Sequence, residues 1–155
     1  YSVGFLKSNS GKKGEGMPVV RNPQYYFKEG FCWNNVTFGG IKCRLKQKTV
    51  HSTESMSFFS ESEIIPEFYM VMLMNTKLIS DYIDVFVNNT VHCTTGDAKL
   101  IPVMVPNKQT LKVFEKLFNS AVEIKKVTLL SDEFEKQLLE IQEKLDTMVT
   151  ELYGI

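Results

Sequence analysis

The side chains able to do chemistry are few and widely spaced. His51 and His92 have no carboxylate at a metal-binding spacing, and no H-E-x-x-H pattern occurs. Cys32, Cys43 and Cys93 form an odd set without a C-x-x-C pair, which points to reduced thiols in a cytoplasmic setting and away from disulfides or a zinc site. There is no G-x-S-x-G elbow and no paired-carboxylate motif, and Glu61, Glu63, Asp81 and Asp84 read as helix-end or solvated-face acids. The Gly-rich run at residues 8–17 lacks the G-x-x-x-x-G-K-[ST] order that cradles phosphates, so nucleotide binding is not expected. The sequence therefore predicts no catalytic residue, no metal and no cofactor bound by these residues themselves.

What the chain does carry is an arrangement of charge. Its 18 basic and 18 acidic residues cancel, but residues 1–51 hold nine Lys/Arg against two acids. That excess of +7 is balanced by −5 over residues 52–105 and −2 over residues 106–155. A basic segment joined to an acidic remainder points to a polyanionic partner. The longest apolar stretch, Phe68 to Met74, is far below the roughly 20 residues of a membrane span, so no membrane partner is expected.

The elements that must position these charges fall into two halves, and the expected class is α+β. From Met17 to Phe59, short apolar or β-branched runs alternate with Asn, Gly and Lys: Tyr25-Tyr26-Phe27, Phe31-Cys32-Trp33, Val36-Thr37-Phe38 and Thr49-Val50. They read as strands, with Gly39-Gly40 as a hairpin turn. Glu67 through Val87 reads as one helix, starting near Glu63–Pro66 and ended by Asn88-Asn89. An extended piece from Val91 to Val105 holds a Thr94-Thr95-Gly96-Asp97 turn. A helix with a wide apolar face starts at about Asn107. The last helix has Ser131 as cap, acids in its first turn and Gly154 as stop. Its Phe134, Leu138, Ile141, Leu145, Met148 and Leu152 form a heptad seam. The predicted division is an α+β domain over residues 1–126 and a long amphipathic helix over residues 127–155, packed on that domain or on an upstream one. A start at Tyr1 in place of Met suggests a domain whose upstream part carries the chemistry.

Several pieces, in order, resemble a known family. Phe27-Lys28-Glu29-Gly30-Phe31-Cys32-Trp33 is similar to the F-x-x-G-[IF]-x-W opening of the target-recognition domains in adenine-specific DNA methyltransferases of type IIG restriction and BREX-type systems. Ile41-Lys42-Cys43-Arg44 stands where these domains have an f-s-x-R element, with Cys43 a departure. Ser57-Phe58-Phe59-Ser60, Leu73-Met74-Asn75-Thr76-Lys77, the stretch from Asn89-Thr90 through Gly96-Asp97 to Pro102-Val103, and the close Leu152-Tyr153-Gly154-Ile155 follow. The resemblance covers residues 22–155. It implies a domain that selects the DNA sequence, while an upstream domain uses S-adenosylmethionine to methylate adenine. Asn22-Pro23-Gln24-Tyr25 resembles the N-P-P-[YF] motif that holds the flipped base in such enzymes, but Gln24 breaks it and no glycine-rich cofactor strand precedes it. A catalytic role for this chain is not expected.

On this reading the partner is double-stranded DNA. Lys12, Lys13, Lys42, Lys46 and Lys48 are candidates for phosphate contacts, and Arg44 for bidentate reading of guanine. Asn34 and Asn35 either read adenine or make a turn, and Trp33 either stacks on a base or belongs to the core. The alternative is a subunit-interaction module similar to type I restriction specificity subunits, with the C-terminal helix as the docking or homo-oligomerisation element.

Overall fold

The computed structural model describes residues 22–36, 39–50, 55–62, 64–127 and 131–155. Lys12, Lys13 and His51 lie outside them. Three strands, β1 (Gly30–Asn34), β2 (Cys43–Lys46) and β3 (Ser55–Phe58), form an antiparallel sheet in the order β2-β1-β3. Five α-helices follow: α1 (Glu67–Met74), α2 (Lys77–Tyr82), α3 (Thr95–Ala98), α4 (Lys108–Lys125) and α5 (Asp132–Tyr153). This is the expected α+β class, with the strands first and the long helix last.

Alternation along the strands gives the sheet two faces. Phe31 and Trp33 point inward and meet Phe58 edge-on, at ring distances of 5.9 and 5.2 Å. Beneath them lies α1, whose Tyr69, Val71, Met72, Leu73 and Met74 are all buried. A helix apolar on every side is stable only when covered on every side. The sheet covers one side of α1 and α4 the other, where Phe114 meets Tyr69 edge-on at 5.1 Å. Helix α5 closes the layer against α4 and α2 by burying Leu145 and Val149, so it packs on its own chain. Its ends follow the sequence expectation: Ser131 accepts from the Phe134 N–H, and Gly154 is left-handed at φ 72°.

Three local expectations need correction. The helix expected from Glu67 to Val87 is broken at Asn75-Thr76. Both side chains compete for backbone partners there. The Thr76 hydroxyl donates to Leu73 O and accepts from Ile79 N–H, ending one helix and capping the next. The Asn75 carboxamide donates back to Val71 O at 2.8 Å and also reaches the sheet, accepting from Cys43 N–H at 2.9 Å and donating to Cys43 O at 2.7 Å. It thereby takes the place of a fourth strand at one residue of the sheet edge. The C-terminal part of that expected helix, Ile83–Val87, is a π turn closed by Asn88 N–H to Ile83 O.

Tyr25-Tyr26-Phe27 and Thr49-Val50 are turns, not strands. Pro23 starts a 3₁₀ turn after a left-handed Asn22, and the Thr49 N–H bonds back to Gln47 O. The Thr94–Asp97 turn is the start of α3, with a reciprocal capping box between Thr94 and Asp97. Gly39 and Gly40 do lie in the β1–β2 connection, which runs from residue 35 to 42, with φ of 73° and 99°, a region that glycine enters without strain.

Asn75→Ala should destabilise the chain by about 2 kcal/mol, because both edge groups of Cys43 lose their partner. Asn75→Asp should cost more at neutral pH, since a carboxylate cannot donate to Cys43 O. Urea titrations followed by circular dichroism check both.

Candidate nucleic-acid interface

The register of the sheet decides which residues share its outer face. Gly30 pairs with Lys46 and Cys32 with Arg44 on one side of β1; Cys32 pairs with Ser57 and Asn34 with Ser55 on the other. Lys46, Arg44, Cys32, Asn34, Ser55 and Ser57 therefore stand opposite the face that carries Phe31 and Trp33. On this face Arg44 and Asn34 are exposed, whereas Cys32 and Lys46 are each 5% exposed.

Two clusters build this face. At one end the Arg44 guanidinium reaches diagonally across the sheet and donates from Nη1 to Asn34 Oδ1 at 3.3 Å. Both residues are exposed, as are Lys42 and Lys48 on either side of β2. A guanidinium held by a neutral amide keeps its full charge and most of its donors free. At the other end the backbone of Gly30 passes so close to β3 that a Cβ there would run into Phe58 O and approach the Phe59 ring to 2.7 Å. Phe59 lies in that space and stacks on Tyr25 at 5.1 Å and 14° between planes. A lysine lies near each ring: the exposed Lys28 has its Nζ 5.1 Å from the Tyr25 ring, and the buried Lys46 has its Nζ 5.4 Å from Phe59.

Lys46 departs from its expected role. It is only 5% exposed, and its ammonium donates to Lys28 O and Thr49 O, both at 2.7 Å. Burial lowers its pKa. With two donors spent on carbonyls inside the fold, Lys46 is a clip between two loops and not a phosphate contact. At Asn35 the side-chain oxygen is buried with no hydrogen-bond partner among the described residues, and the carbonyl accepts from Cys93 N–H beside the antiparallel bridge of Val36 with His92. Trp33 is wholly buried and donates from Nε1 to Cys93 O at 2.9 Å, which makes it core. The structure brings Arg44 and Asn34 together, and leaves Lys42 and Lys48 exposed at the two ends of β2. Sequence reasoning missed Lys28, Tyr25 and Phe59; the only sequence signal for them is aromatic and basic residues flanking the strands.

The remaining reactive groups are committed to structure. All three thiols are buried and free, and burial pushes Cys43 up to about 12 and Cys93 to about 11. Among the described residues no group of three or more His, Cys, Asp or Glu is placed to hold a metal ion. No helix among them is long and apolar enough to cross a membrane. One oxygen of Asp97 accepts from Thr94 N–H, Thr94 Oγ1 and Asn88 Nδ2. The Thr94 backbone N–H is the main reason that its carboxyl is held below the ordinary value.

That depression has a defined consequence. A carboxylate whose folded pKa is lowered stabilises the fold above its unfolded pKa of about 4 and loses that contribution as pH falls through the folded value. Asp97→Ala should cost about 1 kcal/mol at pH 7 through loss of the capping box. The difference between variant and wild type should narrow as pH drops below about 4, in denaturation curves recorded across that range. Compared with family models and with curated protein sequences, the chain matches none.

Proposed function

We propose that this chain is a DNA sequence-recognition domain that binds duplex DNA through the outer face of its sheet. Within the family that its sequence resembles, it would present that DNA to an S-adenosylmethionine-dependent domain upstream. The observation that carries the reading is the exposed pair Arg44 and Asn34, bonded across the sheet, with the exposed Lys42 and Lys48 at either end of β2. Lysines at the margins neutralise phosphates and release counterions, which gives affinity without sequence preference. Arg44 has the planar fork that matches guanine O6 and N7, and its bond to Asn34 limits the conformations it loses on binding. The major groove is wide enough for two antiparallel strands, so β1 and β2 are the right size of probe.

A second reading, docking of another protein on α5, is favoured by a different observation. The C-terminal part of the heptad seam is used inside the chain, with Leu145 2% exposed. Towards its N-terminal half the seam is open: Leu138 and Ile141 are half-buried and line a groove of about 1240 Å³ between α5, α4 and the edge strand β2. Docking would therefore involve Leu138 and not Leu145, whose replacement by a charge would disrupt the core.

Fluorescence anisotropy of the 155-residue chain with labelled duplexes, over a range of salt, tests the first reading. Arg44→Ala should cost about 1–3 kcal/mol and relax preference at one base pair. Lys42→Ala with Lys48→Ala should weaken binding to every duplex and reduce the salt slope by about two. Lys12→Ala with Lys13→Ala is expected to act in the same sequence-independent way. Equal binding by all of these variants would sink the reading. For the second reading, sedimentation velocity should reveal a concentration-dependent dimer that Leu138→Glu abolishes with the fold intact; a monomer at every concentration removes it.

A further inference from the structure

We infer that Phe27 is a wedge that enters the base stack of bound duplex DNA, an inference that rests on the DNA-binding reading above. Phe27 has a left-handed backbone, φ 61°, which a bulky side chain adopts only when its surroundings force it. The residue is nevertheless 47% exposed, so burial does not account for the strain. What holds the conformation is backbone. The Phe27 N–H donates to Thr49 O at 3.2 Å, and the Lys46 ammonium grips that same Thr49 carbonyl together with Lys28 O. The Lys28 N–H closes the turn onto Tyr25 O at 3.4 Å.

A buried lysine bonded, among the described residues, to two carbonyls, and a strained aromatic both weigh against folding, and both serve to fix one turn. That combination is expected where a side chain must be preorganised for a partner. The surroundings specify the partner's chemistry. Lys28 follows Phe27 in the chain and Lys48 precedes Thr49, so each of the two segments joined by the clip carries an exposed cation. An exposed apolar ring in such a basic setting suits a polyanion whose interior is apolar and stacked. DNA-bending proteins use such side chains to part a base step while nearby Lys and Arg hold the phosphates. Tyr25, two residues before Phe27, is itself held by stacking on Phe59.

The test uses Phe27→Gly in the full chain, because glycine adopts the left-handed region without strain. The variant should be at least as resistant to urea as wild type, yet bind a mixed-sequence duplex about tenfold more weakly. A duplex carrying 2-aminopurine should brighten on binding wild type, as the parted step unstacks, and stay dim with the variant. Phe27→Leu, which keeps an apolar wedge, should retain part of the signal. If wild type binds the duplex but the variant matches it in affinity and fluorescence, the wedge is refuted while DNA binding stands. If wild type binds no duplex at all, both ideas fall together. If wild type binds without brightening and the variant is still weaker, Phe27 contacts DNA from outside the stack and insertion is refuted.

Discussion

Helix α1 has no polar side, and the rest of the molecule is arranged around covering it. Tyr69, Leu73 and Met74 are wholly buried, with Phe31 and Trp33 above them and Phe114 below. Each of these aromatics removes a large apolar area from water, and the edge-on ring contacts fix their relative orientation. The sheet therefore has an inside because α1 needs a roof, and on its other side Arg44 and Asn34 reach solvent. Their exposure is a consequence of that division and not a separate construction.

The polar groups that punctuate this core do two jobs each. Asn75 ends α1 and satisfies the backbone of Cys43, so the helix break and the protected sheet edge are one event. Trp33 fills the core while its indole N–H anchors the Cys93 carbonyl, which ties the strand to the loop before α3. The Tyr69 hydroxyl reaches Met104 O at 2.6 Å, and Tyr153 from α5 accepts from Met104 N–H and donates to Pro102 O, so the segment ahead of α4 is held by the core helix and the last helix together. Lys46 follows the same logic at the sheet's outer end, where burial and two carbonyls convert a cation into a clip. Side chains that close backbone gaps in this way are hard to replace, because each leaves a buried donor or acceptor behind.

The residues that make the sequence recognisable as a pattern are largely fold-building ones. In the Phe27–Trp33 stretch, Gly30 is required by the approach of Phe58 O, and Phe31 and Trp33 are core. Helix ends were equally legible: Asn107, Ser131 and Gly154 act on neighbours one turn away, so local chemistry suffices to place them. The break at Asn75 was not legible, because the partner that draws its side chain to the sheet is Cys43, 32 residues away. Nor was the fate of Lys46 legible, since its two carbonyls lie in turns that composition makes look like strands.

Sequence alone determined the α+β class, the long capped C-terminal helix and the concentration of positive charge in the first third. These depend on periodicity, capping and counting, all of which are local or additive properties. Only the tertiary structure decided which basic residues are available. Strand pairing put Arg44 beside Asn34 in the open and drove Lys46 under the Phe59 ring, although both are basic residues on one four-residue strand. The physical reason is that exposure and desolvation are set by neighbours across the sheet, and those neighbours are fixed by register and by the packing of α1.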